Sequence, residues 1–190
     1  MNEIRQYFEQ SIHQKIEDQE WIFFHSMLSR HELSKHQLLL REGQVEEYLW
    51  FVERGILRSY IPGGESDITV AFTFEKNFVS GYDSFLTREP SLIQIETLTE
   101  ASLWRLTYND LQVIYQETKI GNRIGRHAGE ELFLRKSNRE RSLLRETAEQ
   151  RYLRLLTEQP HYLKHIPLKH IASYIGVTPQ ALSRIRKRIT

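Results

Sequence analysis

Hydrophobic positions near the start of the chain recur at helical intervals. An apolar residue at every fourth position predicts an amphipathic helix over residues 2–16. The positions concerned are Ile4, Phe8, Ile12 and Ile16. A second apolar series predicts another short helix and consists of Trp21, Phe24 and Leu28.

From about residue 36 to residue 106 the pattern changes to short apolar runs separated by turn residues. Residues 68–74 alternate strictly, which predicts a strand with one buried face. The buried positions would be Ile68, Val70, Phe72 and Phe74. Glycines lie where hairpins would turn, at Gly43, Gly55, Gly63 and Gly64. Many short strands at this spacing predict a small antiparallel sandwich or barrel.

Helical periodicity returns at Thr107, which with Asp110 has the spacing of a capping box. Residues 119–145 contain no proline and carry a thin apolar stripe among many charges, which predicts one long helix. Because such a polar helix needs a partner, we expect it to pair with a second copy of the chain. The alternative is a helix that lies across the β domain of its own chain. A further helix is predicted over residues 147–157, before Pro160.

Residues 166–189, IPLKHIASYIGVTPQALSRIRKRI, contain two helix patterns joined by a glycine. Pro167 is predicted to be the first residue of the first helix. Gly176 fits the position after a helix end that requires a left-handed backbone. Thr178 is predicted to cap the second helix, with Pro179 following it. These start and stop signals predict a helix-turn-helix.

Each of these two helices has one apolar face, formed by Leu168, Ile171, Ala172 and Ile175 in the first and by Leu182, Ile185 and Ile189 in the second. The opposite face of the second helix presents Gln180, Ser183, Arg184 and Lys187. On a recognition helix, Arg184 can contact guanine and Gln180 can contact adenine, each through two hydrogen bonds. The alternative is a basic amphipathic helix whose polar side faces solvent or a membrane.

The start of the second helix and its basic residues suit the DNA backbone. Thr178 and the free N–H groups beside it can hold a phosphate. Further phosphates would be neutralised by Lys169, Arg186, Lys187 and Arg188. Double-stranded DNA is therefore the expected partner of this segment.

The composition narrows the classes of protein that fit this pattern. With 190 residues, 39% of them hydrophobic, the chain can form one domain or two small ones with a true core. It has no cysteine, which excludes disulfides and cysteine-ligated zinc or iron–sulfur centres. The polar start MNEIRQYFEQ is unlike a signal peptide, and no apolar run approaches the ~20 residues of a membrane span. We therefore expect a cytoplasmic protein with no membrane partner.

Charge is distributed unevenly along the chain, although the net charge is only +1. Residues 151–190 carry a formal charge of +7, whereas residues 1–150 carry −6. The basic residues of the carboxy-terminal part are Arg151, Arg154, Lys164, Lys169, Arg184, Arg186, Lys187 and Arg188. This division indicates that the carboxy-terminal part meets a polyanion while the rest of the chain has another role.

No side chains have the spacing of a catalytic or metal site. The histidines that lie near one another in sequence are His161, His165 and His170. Pro160 and Pro167 interrupt this stretch, and no carboxylate joins the histidines, so no metal site is expected. The candidate serines Ser80, Ser84 and Ser91 are not set in a nucleophile elbow. We therefore expect a protein that is not an enzyme.

Four segments together resemble the Crp/Fnr superfamily of transcription regulators. LLLREGQVEEYLWFVERGILRSYI is similar to the opening of that family's cyclic-nucleotide-binding β-roll, and NFVSGYDSFL and SLIQIETLTEASLWRL are similar to its later strands. Residues 119–140 resemble its dimerisation helix, and residues 166–189 resemble its DNA-reading motif. The segments occur in the family's order, so the resemblance covers nearly the whole chain.

The resemblance implies an α+β fold with three parts. Residues 1–118 would form an antiparallel β-roll, of the double-stranded β-helix or jelly-roll type, with flanking helices. Residues 119–145 would form the dimerisation helix and hinge, and residues 146–190 the helix-turn-helix domain. The expected homodimer interface comprises Ile120, Ile124, His127, Glu131 and Leu134. The resemblance also places DNA contacts at Thr178, Gln180, Ser183 and Arg184.

The ligand cassette departs from the family members that bind cyclic AMP. Those members use a glutamate for the ribose hydroxyl and, ten residues later, an arginine for the cyclic phosphate. Alignment on Phe78 and Phe85 places Gly81 at the glutamate position and Ser91 at the arginine position. Arg88 lies nearby and is the alternative cation. A phosphate without a cation is poorly compensated for lost water, so cyclic AMP is not expected as a cofactor.

An unidentified small-molecule effector stays open, with a candidate pocket at Gly81, Tyr82 and Ser91. The printed sequence ends one residue after the second helix, so the wing strands of the family are expected to be missing. We interpret the protein as a homodimeric regulator that reads a palindromic operator, with RNA polymerase as a candidate partner. The alternative is a small-molecule sensor whose basic end contacts a protein or a membrane. The operator, the regulated genes and the sign of regulation are not determined by the sequence.

Overall fold

The computed structural model describes residues 2–64 and 66–189 and has the predicted α+β architecture. The helices are α1 (Asn2–Ser11), α2 (Asp18–Ser26), α3 (Tyr82–Thr87), α4 (Tyr108–Glu117), α5 (Lys119–Arg145), α6 (Ala148–Glu158), α7 (Pro160–His165), α8 (Leu168–Tyr174) and α9 (Pro179–Ile189). The strands are β1 (Ser29–Leu33), β2 (Leu38–Leu40), β3 (Tyr48–Arg54), β4 (Leu57–Ile61), β5 (Ile68–Thr73), β6 (Phe78–Val79), β7 (Gln94–Thr97) and β8 (Ala101–Thr107).

The strands form two four-stranded antiparallel sheets, which confirms the predicted β-roll. Their orders are β1-β8-β3-β6 and β2-β7-β4-β5. One apolar core draws on both sheets and consists of Leu40, Trp50, Val52, Leu57, Val79, Ile95, Ala101 and Leu103. Since side chains alternate across a strand, each sheet gives one face to this core and leaves the other for the helices or solvent.

The predicted alternation of residues 68–74 is wrong. Ile68 is 57% exposed, whereas Thr69 is fully buried. The pairing of β4 with β5 shifts register, so that Ser59 opposes Ala71 and Tyr60 opposes Thr69. Two residues of β4 are thus opposite three residues of β5, which is a β-bulge. Such a one-residue shift reverses which side chains of the strand face the core.

The amino-terminal helix is shorter than predicted. Helix α1 ends at Ser11, and His13 adopts a left-handed backbone with φ of 52°. Ile16 still reaches the core, where its N–H donates to Glu9 Oε1 at 3.0 Å. Because the chain turns at His13, Ile16 is buried from a segment that is not helical.

The predicted long helix is confirmed as α5, which spans 27 residues. The predicted capping box at the start of α4 is also confirmed, with the Asp110 N–H donating to Thr107 Oγ1 at 3.1 Å and the Thr107 N–H donating to Asp110 Oδ2 at 2.9 Å. A second capping box starts α6, between Thr147 and Gln150. Among the described residues no helix is long and apolar enough to cross a bilayer.

The turn between α8 and α9 has the predicted backbone. Gly176 has φ of 78°, its N–H donates to the Ser173 carbonyl, and the Val177 N–H donates to the Ala172 carbonyl. These two bonds are those of a Schellman motif, which satisfies the last carbonyls of a helix. Pro167 was predicted to be the first residue of α8 but is the residue before it. Its ψ of 137° is extended, so Leu168 is the first helical residue.

We predict that Gly176→Ala destabilises the protein by about 1 kcal/mol, because a Cβ disfavours the left-handed backbone. Crowding would add little, since the nearest atom to a Cβ at this position is Arg151 Nη2 at 3.7 Å. Urea denaturation followed by circular dichroism measures the change. Gly176→Asn is the matched control and should cost less, because asparagine tolerates this conformation. Equal losses for the two variants would contradict the backbone explanation.

Candidate DNA-reading face and ligand cassette

The α9 helix buries one face and exposes the other. Leu182 and Ile185 lie in an apolar cluster with Ile171 and Ala172 of α8. The side chains of Gln180, Ser183, Arg184 and Lys187 are exposed. The structure thus brings the four proposed base-contacting and phosphate-contacting residues of α9 onto one accessible surface.

The amino-terminal end of α9 is accessible as well. Thr178 Oγ1 accepts the Ala181 N–H at 3.2 Å, which confirms the predicted cap. Its side chain remains exposed, as does Lys169 in the first turn of α8. A phosphate at this end would meet the free N–H groups and partial positive charge of the helix start.

The basic residues in the last turn of α9 are exposed, and one of them pairs with a carboxylate. Arg186, Lys187 and Arg188 are all exposed in the last turn of the helix. The Arg188 guanidinium lies 2.9 Å from Glu149 of α6. Both partners are solvent-accessible, and surface pairs of this kind are weak, so the arginine can exchange this carboxylate for a phosphate.

Two of the carboxy-terminal basic residues have a structural role that the sequence analysis missed. The Arg151 guanidinium donates to the Ile175 carbonyl at 2.9 Å and to the carbonyl of Glu146. Arg154 pairs with the Glu146 carboxylate at 3.0 Å. These arginines stabilise the turn after α8 and the start of α6, so counting charges overestimates the cations that face outward.

The predicted dimer interface is only partly available to a partner. Ile120 and Ile124 are 1% and 5% exposed, because they pack into the core formed by α1, α2 and α4 of their own chain. Both side chains are thus covered by their own chain, and their place in a dimer interface stays a prediction. His127 and Glu131 lie one turn apart at 3.6 Å, and Leu134 is 58% exposed.

The exposed apolar residues of α5 lie further along the helix than predicted. Phe133 is 69% exposed, and Leu143 and Leu144 are also exposed. At Gly129 no atom lies within 4 Å of the position a Cβ would take. The sequence signals of this surface were the large apolar residues Phe133, Leu143 and Leu144 on an otherwise polar helix.

The cassette positions Gly81 and Ser91 lie together in the interior. A Cβ on Gly81 would stand 3.2 Å from Ser91 Oγ and only 2.6 Å from Leu40 Cδ2. Ser91 is buried, and its Oγ exchanges hydrogen bonds with the backbone N–H and carbonyl of Ile93 at 3.1 Å. The Tyr82 ring stacks on the Phe85 ring, with centroids 6.0 Å apart.

A buried glutamate that the sequence analysis missed occupies this cassette. Glu46 accepts the Tyr48 N–H at 3.0 Å and the Gly81 N–H at 3.2 Å. Burial raises the pKa of the Glu46 carboxyl, while these two hydrogen bonds act in the opposite direction. Two backbone N–H groups at the cassette are therefore already bonded to a carboxyl of the protein itself.

The nearby cation Arg88 is engaged by groups of its own chain. Its guanidinium donates to the Glu46 carbonyl at 2.8 Å and to the Glu47 carboxylate at 2.7 Å. Its backbone adopts a left-handed conformation with φ of 62° at the end of α3. Binding a cyclic phosphate would first require these contacts to break.

The histidines of the carboxy-terminal part do not converge on a metal site. The His161 ring packs on Phe74, with centroids 4.7 Å apart. Within residues 2–64 and 66–189 no group of three or more potential ligands is placed to hold a metal ion.

Known proteins share the architecture of this chain. Residues 30–118 match the family model of the cyclic nucleotide-binding domain. No match was found among curated protein sequences. The fold is similar to that of the c-di-GMP-responsive global regulator CLP of Xanthomonas campestris, with a TM-score of 0.72 and 17% identity, covering 91% of each chain.

Two further structures have the same overall fold. FixK2 of Bradyrhizobium japonicum aligns with a TM-score of 0.70 and 17% identity over 85% of this chain and 84% of its own. A protein assigned to the Crp/Fnr family of transcriptional regulators from Eubacterium rectale aligns with a TM-score of 0.71 and 16% identity over 92% and 83%. Residues 30–118 are therefore similar to a cyclic nucleotide-binding domain, and the fold of the whole chain is similar to that of Crp/Fnr-type transcription regulators.

Proposed function

We propose that the protein is a homodimeric transcription regulator that binds DNA in a sequence-specific manner. One observation carries this proposal. Helix α9 follows a tight turn, buries Leu182 and Ile185, and exposes Gln180, Ser183 and Arg184 on one face. An amide, a hydroxyl and a guanidinium at the start of an exposed helix are the groups that read base edges in a major groove.

The charge of the surrounding surface supports the same function. Lys169 of α8 and Lys187 of α9 are exposed, and α9 carries no acidic residue. Cations at these places neutralise phosphates and release counterions, which makes binding dependent on salt. In this proposal residues 146–190 read DNA, residues 119–145 pair the subunits, and residues 1–118 form the sensor.

Pairing of the subunits is proposed to involve the second half of α5. Phe133 and Leu134 are exposed there, and the missing side chain of Gly129 would let a second helix approach closely. A two-fold dimer presents two α9 helices, so the operator should be palindromic with half-sites about 34 Å apart. RNA polymerase is the natural further partner of such a regulator.

Cyclic AMP is not the proposed effector. The CLP regulator named above is described as c-di-GMP responsive, which concerns that protein alone. In the present chain Glu46 accepts the N–H groups of Tyr48 and Gly81, and Arg88 is bonded to Glu47. The β-roll would therefore respond to another molecule or hold the dimer in one state.

We predict that Arg184→Ala weakens binding to the operator by about 1–3 kcal/mol and relaxes sequence preference. The operator is first obtained by sequencing genomic fragments that the protein retains, and affinity is then measured by fluorescence anisotropy. Lys187→Ala is the matched variant. It should weaken binding to all sequences equally. It should also reduce the slope of the logarithm of the binding constant against the logarithm of salt concentration by about one.

An Arg184→Ala protein that binds the operator as tightly as the parent would contradict the base-reading assignment. Fragments without a shared motif, retained independently of salt, would instead favour a sensor whose basic end contacts a protein or membrane.

We predict that Phe133→Glu shifts the protein from dimer to monomer, because the new carboxylate would be buried without a partner at the interface. Sedimentation velocity measures the change. Ile22→Glu is the matched control, since Ile22 is 67% exposed on α2 and lies away from the proposed interface. Dimers that persist in Phe133→Glu would exclude this face of α5.

We predict that titration with cyclic AMP near neutral pH produces no binding heat, since Gly81 and Ser91 stand where the resemblance places the ribose acceptor and the phosphate cation. Isothermal calorimetry provides the measurement. Binding with micromolar affinity would show that Glu46 and Arg88 rearrange to admit the nucleotide.

A further inference from the structure

The four carbonyl groups at the end of α8, those of residues 172–175, all accept hydrogen bonds. The turn that follows supplies the donors for the first two, through the N–H groups of Gly176 and Val177. The other two carbonyls, of Tyr174 and Ile175, accept from side chains outside the helix-turn-helix. The last carbonyls of a helix have no partner within it, so the groups that bond them determine how the helix end is held.

Two arginines of neighbouring helices bond these remaining carbonyls. Arg139 of α5 donates from Nη2 to the Tyr174 carbonyl at 2.7 Å, and its Cζ atom lies 3.9 Å from the centroid of the Tyr174 ring. Arg151 of α6 donates from Nε to the Ile175 carbonyl at 2.9 Å. A cation is favoured at the negative end of a helix dipole. The end of α8 is thus tied to α5 by one arginine and to α6 by another.

The Arg151 guanidinium also bonds the end of α5. Its Nη1 atom donates to the Ser142 carbonyl at 3.4 Å and to the Glu146 carbonyl. One cation is therefore shared between the carboxyl ends of two helices, α5 and α8, which both carry partial negative charge. Without this guanidinium, carbonyls at both helix ends would lose a hydrogen-bond donor at the same time.

The corner between α5 and α6 is held by further contacts, and the turn of the helix-turn-helix lies beside it. Ser142 Oγ donates to Glu146 Oε2 at 2.6 Å, and Arg154 pairs with Glu146 Oε1 at 3.0 Å. A Cβ at Gly176 would lie 4.0 Å from Leu143 Cδ2 of α5. Since α9 packs on α8 in one apolar cluster, these contacts fix the direction of α9 relative to α5.

We propose that Arg151 and Arg139 are positioning residues that hold α9 at one angle to α5 and thereby set the half-site spacing that the dimer reads. This inference rests on the proposed function, in which α5 pairs the subunits and α9 enters the major groove. The two arginines act through α8 and α9 and not through contact with a base or phosphate. Two-fold symmetry repeats the angle in both subunits, so a change of angle displaces both α9 helices.

The geometry of DNA makes half-site spacing a sensitive measure of this angle. Each added base pair moves a half-site by ~3.4 Å along the duplex and rotates it by about 34° around the axis. Two α9 helices at a fixed angle can follow such a shift only if the DNA bends or twists, which costs free energy. A dimer with fixed α9 helices therefore discriminates between spacings, whereas a dimer with mobile α9 helices does not.

The first measurement compares operators that differ only in spacer length. The half-sites are moved one or two base pairs closer together or farther apart, and fluorescence anisotropy gives each binding constant. The parent should bind its own spacing about tenfold more tightly than the altered ones. Arg151→Met keeps the alkyl stem without the guanidinium and should reduce this ratio to about threefold or less. Base preference within each half-site should stay as in the parent.

The matched control is Arg145→Met, because Arg145 is exposed in the last turn of α5 and its replacement removes the same charge. This variant should keep the spacing ratio of the parent. Arg139→Met should lower the ratio as Arg151→Met does. Arg151→Lys should lower it less, since an ammonium keeps the charge at the two helix ends but lacks the planar fork. A loss of stability alone would weaken binding to all spacers equally.

The second measurement uses the full chain without DNA. Because the chain has no cysteine, a pair introduced at the exposed positions Arg126 of α5 and Ser183 of α9 can be spin-labelled selectively. Electron–electron resonance then gives the distance between the two helices, with excess unlabelled chain to suppress distances between subunits. The parent and Arg145→Met should show one narrow distance. Arg151→Met and Arg139→Met should show a broader distribution, with circular dichroism verifying that each variant is folded.

One narrow distance in Arg151→Met and Arg139→Met would overturn the positioning role. A broad distribution combined with the parent's spacing ratio would overturn the link between the angle of α9 and the operator. If Arg151→Met does not fold, Arg151→Lys and Arg139→Met decide both points. A parent protein that retains no shared DNA motif would contradict the proposed function, and the distances would still decide whether the two arginines hold α9.

Discussion

One apolar cluster between the helix-turn-helix and the β-roll determines the direction of every proposed DNA-reading side chain. Ile171, Ile175 and Leu182 are almost fully buried in it. Burying each such side chain stabilises the fold by about 1.5–3 kcal/mol, so rotating α9 to cover Arg184 would sacrifice several of these contributions and bury a charge. Gln180 and Arg184 face outward because the opposite face of their helix is held inside.

The same cluster joins the two functional parts of the chain. Phe72 belongs to the β-roll yet packs with Tyr162 and Tyr174 of the helical unit. The bulge in β5 is what places Thr69 and Phe72 on this side of the sheet. A local irregularity of one strand thus helps to set where the helix-turn-helix lies on the β-roll.

The β-roll matches a ligand-binding domain in fold, while side chains of the chain itself fill its interior at the cassette. Residues 30–118 match the cyclic nucleotide-binding domain, and the strands around Gly81 and Ser91 are in place. The interior there is filled by Leu40 and Glu46, whose carboxyl takes the N–H groups of Gly81 and Tyr48. The sequence alignment already placed Gly81 and Ser91 at the two cassette positions. It did not show the contact with Glu46, because Glu46 lies 35 positions from Gly81 in the chain.

The sequence by itself determined those features that depend on hydrogen bonds between near neighbours. The Thr107 capping box, the limits of α5 and the Gly176 turn each involve residues within a few positions, so local patterns were sufficient. Only the tertiary structure decided what covers a given face. The periodic stripe of α5 did not show that Ile120 and Ile124 face their own core while Phe133 faces outward. Periodicity defines a face of a helix, but its burial depends on elements that are distant in the chain.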